Sequence, residues 1–124
     1  MANPNIVSVA SIYGKTVYDT DIATTAASLV SNAASSGKIL KINSLIIANI
    51  DGTNSADITV TLRNAAGSST YSTLASTIAV PNDATLVVIS KDTAIYLEED
   101  MSLYVLASAA GDLSATCSYE EISE

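Results

Sequence analysis

The stretch Gly37–Ile50, "GKILKINSLIIANI", decides the fold class. Its apolar side chains are mostly β-branched, and they recur at period 2, not at the helical 3.6. Leu40, Ile42, Ile46, Ala48 and Ile50 share one face of an extended chain. Ile39, Leu45 and Ile47 interrupt the other face, beside Lys41, Asn43 and Asn49. This pattern predicts a long strand over 38–50 whose middle is covered on both sides. The second cover is either another part of the chain or a partner subunit.

Neighbouring segments alternate more simply. In "ADITVTLR", Ala56, Ile58, Val60 and Leu62 oppose Asp57, Thr59, Thr61 and Arg63. In "LSATCSY", Leu113, Ala115, Cys117 and Tyr119 oppose Ser114, Thr116 and Ser118. Each predicts a strand buried on one side. Turn residues punctuate the runs: Asp51-Gly52, "NAAGSS" at 64–69, "PND" at 81–83, "EED" at 98–100 and "AAGD" at 109–112. The expected strands are 5–10, 12–19, 23–31, 38–50, 56–63, 70–80, 84–90, 94–97, 102–108 and 113–121. The stretch 21–36 also permits a helix, but Thr24, Thr25 and Val30 favour strand. Short strands at this spacing predict a single all-β domain over 1–124, an antiparallel β-sandwich of jelly-roll type. Residues 1–10 are a candidate docking arm.

Composition narrows the chemistry. The chain has 124 residues, the size of one domain. It contains neither Phe nor Trp, so the core is aliphatic. There is no His, which excludes Ser-His-Asp and Cys-His catalysis and His-based zinc sites. The single Cys117 lies on an apolar strand face, forms no internal disulfide and reads as a small core residue. Thirteen acids against five bases give a net charge of −8, which is unsuited to nucleic acid or anionic membranes. No apolar run is long enough to span a bilayer, and the start lacks the pattern of a signal peptide.

Candidate sites are sparse. Asp51, Asn54 and Asp57 offer oxygen ligands for Ca²⁺ but lack the twelve-residue calcium-loop pattern, so a turn closed by side-chain-to-backbone bonds is the competing reading. Gly14-Lys15 and Gly37-Lys38 lack the surroundings of a phosphate loop. Six tyrosines show no shared spacing that would make a sugar platform. Glu98-Glu99-Asp100 sits between two apolar runs and reads as a solvated hairpin tip. No cofactor is expected. The candidate interface is Ile6, Val7, Val9, Tyr13, Ile39, Leu45 and Ile47.

The closing segment "IYLEEDMSLYVLASAAGDLSATCSYEEIS" resembles the C-terminal end of small structural proteins of tailed phages, many from marine phages and cyanophages. "MANPNIV", "SIYGKT", "NAASSGKILKINSLIIANIDGTNSADITV" and "STIAVPNDATLVVISKDTAIYLEE" are similar too, so the resemblance covers most of the chain. It implies a non-enzymatic virion protein, made in the host cytoplasm, of capsid decoration or cement type. Its implied partners are its own copies, as a homotrimer, and virion proteins such as the major capsid protein. Neck, tail or fibre placement, or a carbohydrate-binding module, are the alternatives. The resemblance brings no catalytic residues with it.

Overall fold

A computed structural model describes residues 3–124. Nine strands form in chain order: β1 (Ser11–Asp19), β2 (Ala27–Asn32), β3 (Lys38–Asn49), β4 (Ala56–Arg63), β5 (Thr70–Val80), β6 (Thr85–Ile89), β7 (Ile95–Leu97), β8 (Met101–Ala107) and β9 (Leu113–Ser123). One 3-10 turn, Lys91–Thr93, separates β6 from β7. All strand pairs are antiparallel.

One sheet has the order β1-β9-β3-β6, with β7 also on β3, and the other has the order β2-β8-β4-β5. β6 pairs with Leu45–Ala48 and β7 with Leu40–Ile42, so the two are halves of one broken strand along the same edge of β3. With them joined, the sheet orders become 1-8-3-6 and 2-7-4-5. This is the jelly roll, two interleaved Greek keys closed face to face. The predicted all-β sandwich is therefore the fold observed.

β3 is the central strand, and it carries a bulge. Its register against β9 shifts between Ile42 and Ser44. An extra residue reverses the side-chain phase beyond it. Leu40 and Ile42 before the bulge, and Leu45 and Ile47 after it, therefore all enter the same core. The two apolar faces of the sequence are one face, interrupted by one residue. The covering element is the chain's own second sheet, through Ile58, Val60, Leu103 and Val105. Leu45 and Ile47 are fully buried, which removes them from the candidate interface. Ile39 is also buried, at 7% exposure, beside its β9 neighbour Ile122.

Buried asparagines tie the sheets together at both ends. Asn49, on β3, donates through Nδ2 to Val80 O of the opposite sheet at 2.8 Å. Asn32, on β2, donates to Leu97 O at 3.0 Å and Lys38 O at 2.9 Å across the same gap. Both side chains are almost wholly buried, so these bonds satisfy carbonyls that water cannot reach.

Three expectations fail locally. Residues 5–10 form a turn, not a strand, closed by Ser8 N donating to Asn5 O at 3.0 Å. Pro4 is buried while Ile6 and Val7 project outward, so the described part of the arm is a folded loop and not an extended strand. Within 21–36 only Ala27–Asn32 is strand, and Ile22 plugs the core from the preceding loop. Glu98-Glu99-Asp100 is not a hairpin tip either: β7 belongs to one sheet and β8 to the other, so the triplet turns across the sandwich. Among the sequential connections, only β4 to β5 pairs neighbours as a hairpin.

The phase change on β3 has a measurable consequence. Leu45→Ala is expected to lose about 2–5 kcal/mol of unfolding free energy, as large-to-small core changes do. Ile46→Ala, on the half-buried outer face, is expected to lose clearly less. Urea unfolding of both variants checks this; equal losses would contradict the bulge assignment.

Candidate assembly surfaces and the aspartate end

Crossing connections gather chemistry at the two ends of the sandwich. One end is built by the loops 20–26, 50–55, 81–84 and 108–112. Each carries a single aspartate and no base: Asp21, Asp51, Asp83 and Asp112.

Two of these aspartates meet. Ile50 N donates to Asp112 O at 2.7 Å, which sets the 50–55 loop against the 108–112 turn. The Asp51 and Asp112 carboxyl groups then lie within hydrogen-bonding reach of each other. Thr53 N at 2.8 Å and Asn54 Nδ2 at 3.2 Å donate to Asp51 and hold its pKa below the usual range. Burial, and then Asp51 and Asp21, push Asp112 above its usual range. Ionising Asp112 thus opposes folding, a penalty absent at low pH that grows as pH rises past the ordinary value of 3.8.

Of the sequence-derived calcium candidates, Asp51 and Asn54 do come together, in a turn closed by their own side chains. Asp57 does not join them. It is the second residue of β4, where its backbone N donates to Ser108 Oγ at 2.8 Å. Asp112 approaches Asp51 instead, although the two lie 61 positions apart in the sequence and only the sheet register joins them. Among the described residues, no three His, Cys, Asp or Glu side chains form a metal cluster.

The Glu98-Glu99-Asp100 turn lies at the opposite end, as the rim of a pocket of about 300 Å³ shared with Asn3, Ala34, Ser35 and Met101. Each carboxylate accepts a protein hydrogen bond; Glu98 is exposed, while Glu99 and Asp100 are half-buried. Glu99 Oε2 accepts from Gly37 N at 2.7 Å, Asp100 Oδ1 from Ala65 N at 3.2 Å, and Glu98 Oε1 from Asn3 Nδ2 at 2.7 Å. The triplet fastens three chain segments to one turn. Asp100 takes a left-handed φ of 64° to make that turn.

A further carboxylate clamps three strands. Glu121, on β9, receives Lys15 from β1 at 2.9 Å and Lys38 from β3 at 3.0 Å, one lysine per oxygen. The lysines hold its pKa below the ordinary 4.5. Cys117 is fully buried, and burial pushes its thiol up to about 12, so it is unreactive in the folded protein.

The exposed large apolar residues lie in the N-terminal segment, on the outer face of the five-stranded sheet and on β5 (Tyr71, Leu74 and Ile78), with Ile50 apart from these. In the N-terminal loop, Ile6 is 52% and Val7 91% exposed, Val9 is half-buried, and Tyr13 on β1 is exposed. On the five-stranded sheet, Ile12, Tyr18, Val87 and Tyr96 lie on the outer face, among Thr16, Ser118, Thr116 and Ser114. Glu120 and Lys41, paired across β9 and β3, are the charges of that face. β5 forms the far edge of the other sheet, exposed on both sides, within a run over 64–82 that carries no charge. Sequence reading missed this edge, although the missing charges were its signal. Bulges break its pairing with β4, and Thr77 sits at a φ of 46° in one of them, which blunts the edge against further strand pairing.

Neither a protein-family model nor a curated protein sequence matches this chain. Solved structures do share its fold. One is from Bacillus endospore appendages that form disulfide-linked pili: TM-score 0.53 and 16% identity, covering 91% of this chain and 88% of that one. Another is from a T13 infectious bursal disease virus particle: TM-score 0.50 and 13% identity, covering 94% of this chain. This chain spans only 32% of that viral protein. At these identities the likeness is one of fold.

Glu121 offers a pH test of the three-strand clamp. A lowered folded pKa means the carboxylate stabilises the fold above its ordinary value and ceases to do so as pH falls through the lower one. Glu121→Gln is therefore expected to lower Tm at pH 7, with the gap to the unsubstituted protein closing below about pH 4. Thermal melts from pH 3 to 7 check it; a gap that persists at pH 3 would assign the effect to packing.

Proposed function

We propose that this chain is a non-enzymatic structural subunit of a tailed-phage virion. In this reading it is a decoration or cement protein that binds the outer head shell and its own copies as a homotrimer. The observation that carries the reading is a contrast in the surface. A chain of net charge −8 presents a nearly neutral outer sheet face and a projecting Ile6–Val7 loop. Like charges repel over most of such a surface, so association is cheapest where charge is absent. Exposed apolar and tyrosine side chains on a rigid sheet then supply burial on contact.

The fold supports the same reading. Its neighbours come from a viral particle and from pili, both built by repetition of subunits. Disulfide linkage, named for the pili, does not transfer, because the single cysteine is buried. Non-covalent contacts repeated by symmetry hold such a subunit in place through avidity. The tailed-phage assignment rests on the sequence resemblance.

The number of copies per purified virion tests placement. Hundreds of copies fit head decoration, and a handful fit a neck, tail or fibre position. Val7→Asp and Val87→Asp test the surfaces. Truncating the arm is a poorer test, since it also removes the Asn3 contacts and buried Pro4. Both substitutions are expected to lower occupancy on purified heads at least tenfold while leaving Tm nearly unchanged, because exposed positions shift stability by about 0.5 kcal/mol or less. Full occupancy in both variants would refute these docking surfaces.

A further inference from the structure

The four-stranded sheet stands apart from the rest of the chain in its charge. Its strands β2, β8, β4 and β5 carry two charged residues between them, Asp57 and Arg63, in a protein of net charge −8. Both lie on β4, whose register against β8 runs without a shift, so strict alternation holds there. Ile58, Val60 and Leu62 turn inward to the core. Asp57, Thr59, Thr61 and Arg63 therefore turn outward, beside Leu106 and Tyr104 of β8. Leu106 and Tyr104 are half-buried, and neither belongs to the core cluster.

The two charges sit near opposite ends of β4, about 20 Å apart at the rise of an extended chain. Neither has a counter-ion: the ion pairs among the described residues both belong to Glu121. Arg63 is nevertheless held in place. Its guanidinium carbon lies 4.8 Å from the centre of the Tyr104 ring, Nε donates to Thr61 Oγ1 at 2.9 Å, and Nη1 donates to Gly67 O at 3.3 Å. Tyr104 reaches over Gly67, where a Cβ would collide with it. Nη2 has no acceptor among the described residues and is open to solvent. A planar, pre-organised donor is thus presented to whatever approaches this face.

We propose that this face packs against the same face of a second copy of the chain, about a two-fold axis that sets Asp57 of each copy opposite Arg63 of the other. The charge pattern selects that occupant. An axis lying between the faces, at right angles to β4 and level with Val60, reverses the strand and so exchanges its two ends. Such a contact is self-complementary: one residue meets the second, and the second meets the first. A two-fold axis along β4 would instead set Asp57 against Asp57 and Arg63 against Arg63, which like-charge repulsion opposes. Between the two ends lie Leu106, Tyr104 and the threonines, which bury area on contact without desolvating a charge. The ion pairs themselves add little affinity and chiefly fix the orientation. The face measures about 20 Å by 19 Å, for four strands about 4.8 Å apart, and is smaller than a standard interface. Association in solution is therefore weak and gains when copies are held close together. This face belongs to the sheet opposite the one assigned to virion contacts, and the proposal does not rest on the virion reading.

The experiment is sedimentation equilibrium of the purified full chain at low salt, over a concentration series reaching about 0.5 mM. The basal species, one copy or three, should double in mass as concentration rises. Arg63→Asp and Asp57→Arg should each weaken the doubling at least tenfold, because each makes the facing charges alike. An equimolar mixture of the two variants should restore it, since facing charges are then opposite again. Lys91→Asp, which changes the net charge as Arg63→Asp does but lies in the turn between β6 and β7, should keep the doubling. Thermal melts establish that each variant is folded. Leu106→Glu, at the centre of the face, should abolish the doubling and serves if Arg63→Asp does not fold. An unsubstituted chain that never doubles would overturn the proposal. So would undiminished doubling in Asp57→Arg, Arg63→Asp or Leu106→Glu, or a mixture of folded charge variants that fails to associate.

Discussion

Everything in this sandwich hangs on the burial of β3. The strand lies between β9 on one side and the broken β6/β7 strand on the other. Its inward residues Leu40, Ile42, Leu45 and Ile47 meet the opposite sheet at the middle of the core. A strand of this length could not keep its apolar side chains on one face by simple alternation, because the sequence changes phase at Asn43. The bulge absorbs that change. Without it, either Leu40 and Ile42 or Leu45 and Ile47 would point into water, and half of the core's central column would be lost.

That arrangement dictates where charge can go. Jelly-roll connections mostly pass from one sheet to the other, so the loops bunch at the two ends and leave the sheet faces to the strands. The acidic residues of the crossing loops accordingly divide between an aspartate end and the Glu98-Glu99-Asp100 end. Each end is stitched by a buried asparagine, Asn49 or Asn32, bonded to a carbonyl of the opposite sheet. The outer face of the five-stranded sheet is left nearly neutral, with Lys41 and Glu120 as its charges.

The candidate surface was half legible. Of the candidate interface residues, Ile6, Val7 and Tyr13 are exposed and so remain available for contact. Leu45 and Ile47 were misassigned to the surface for a definite reason: alternation counted through a bulge reverses inside and outside. Val87 and Tyr96 lie inside the apolar runs of β6 and β7, where the sequence does not mark which side chain faces out, and only the sheet sets them on a common face. The aspartates repeat the lesson. Local spacing grouped Asp51, Asn54 and Asp57; a short turn does join Asp51 and Asn54, while the carboxylate that approaches Asp51 in space is Asp112.

The amino-acid sequence by itself determined the all-β class, nearly every strand, the aliphatic core and the absence of histidine chemistry. These follow from side-chain type and local spacing, which act over a few residues. Only the tertiary structure decided which strands share a sheet, that β6 and β7 are one interrupted strand, and that the acidic triplet crosses the sandwich. It alone decided that Asp112 faces Asp51. Those outcomes depend on register between strands far apart in the chain, and register is set by burying both sheets' apolar faces together, which no short stretch of sequence records.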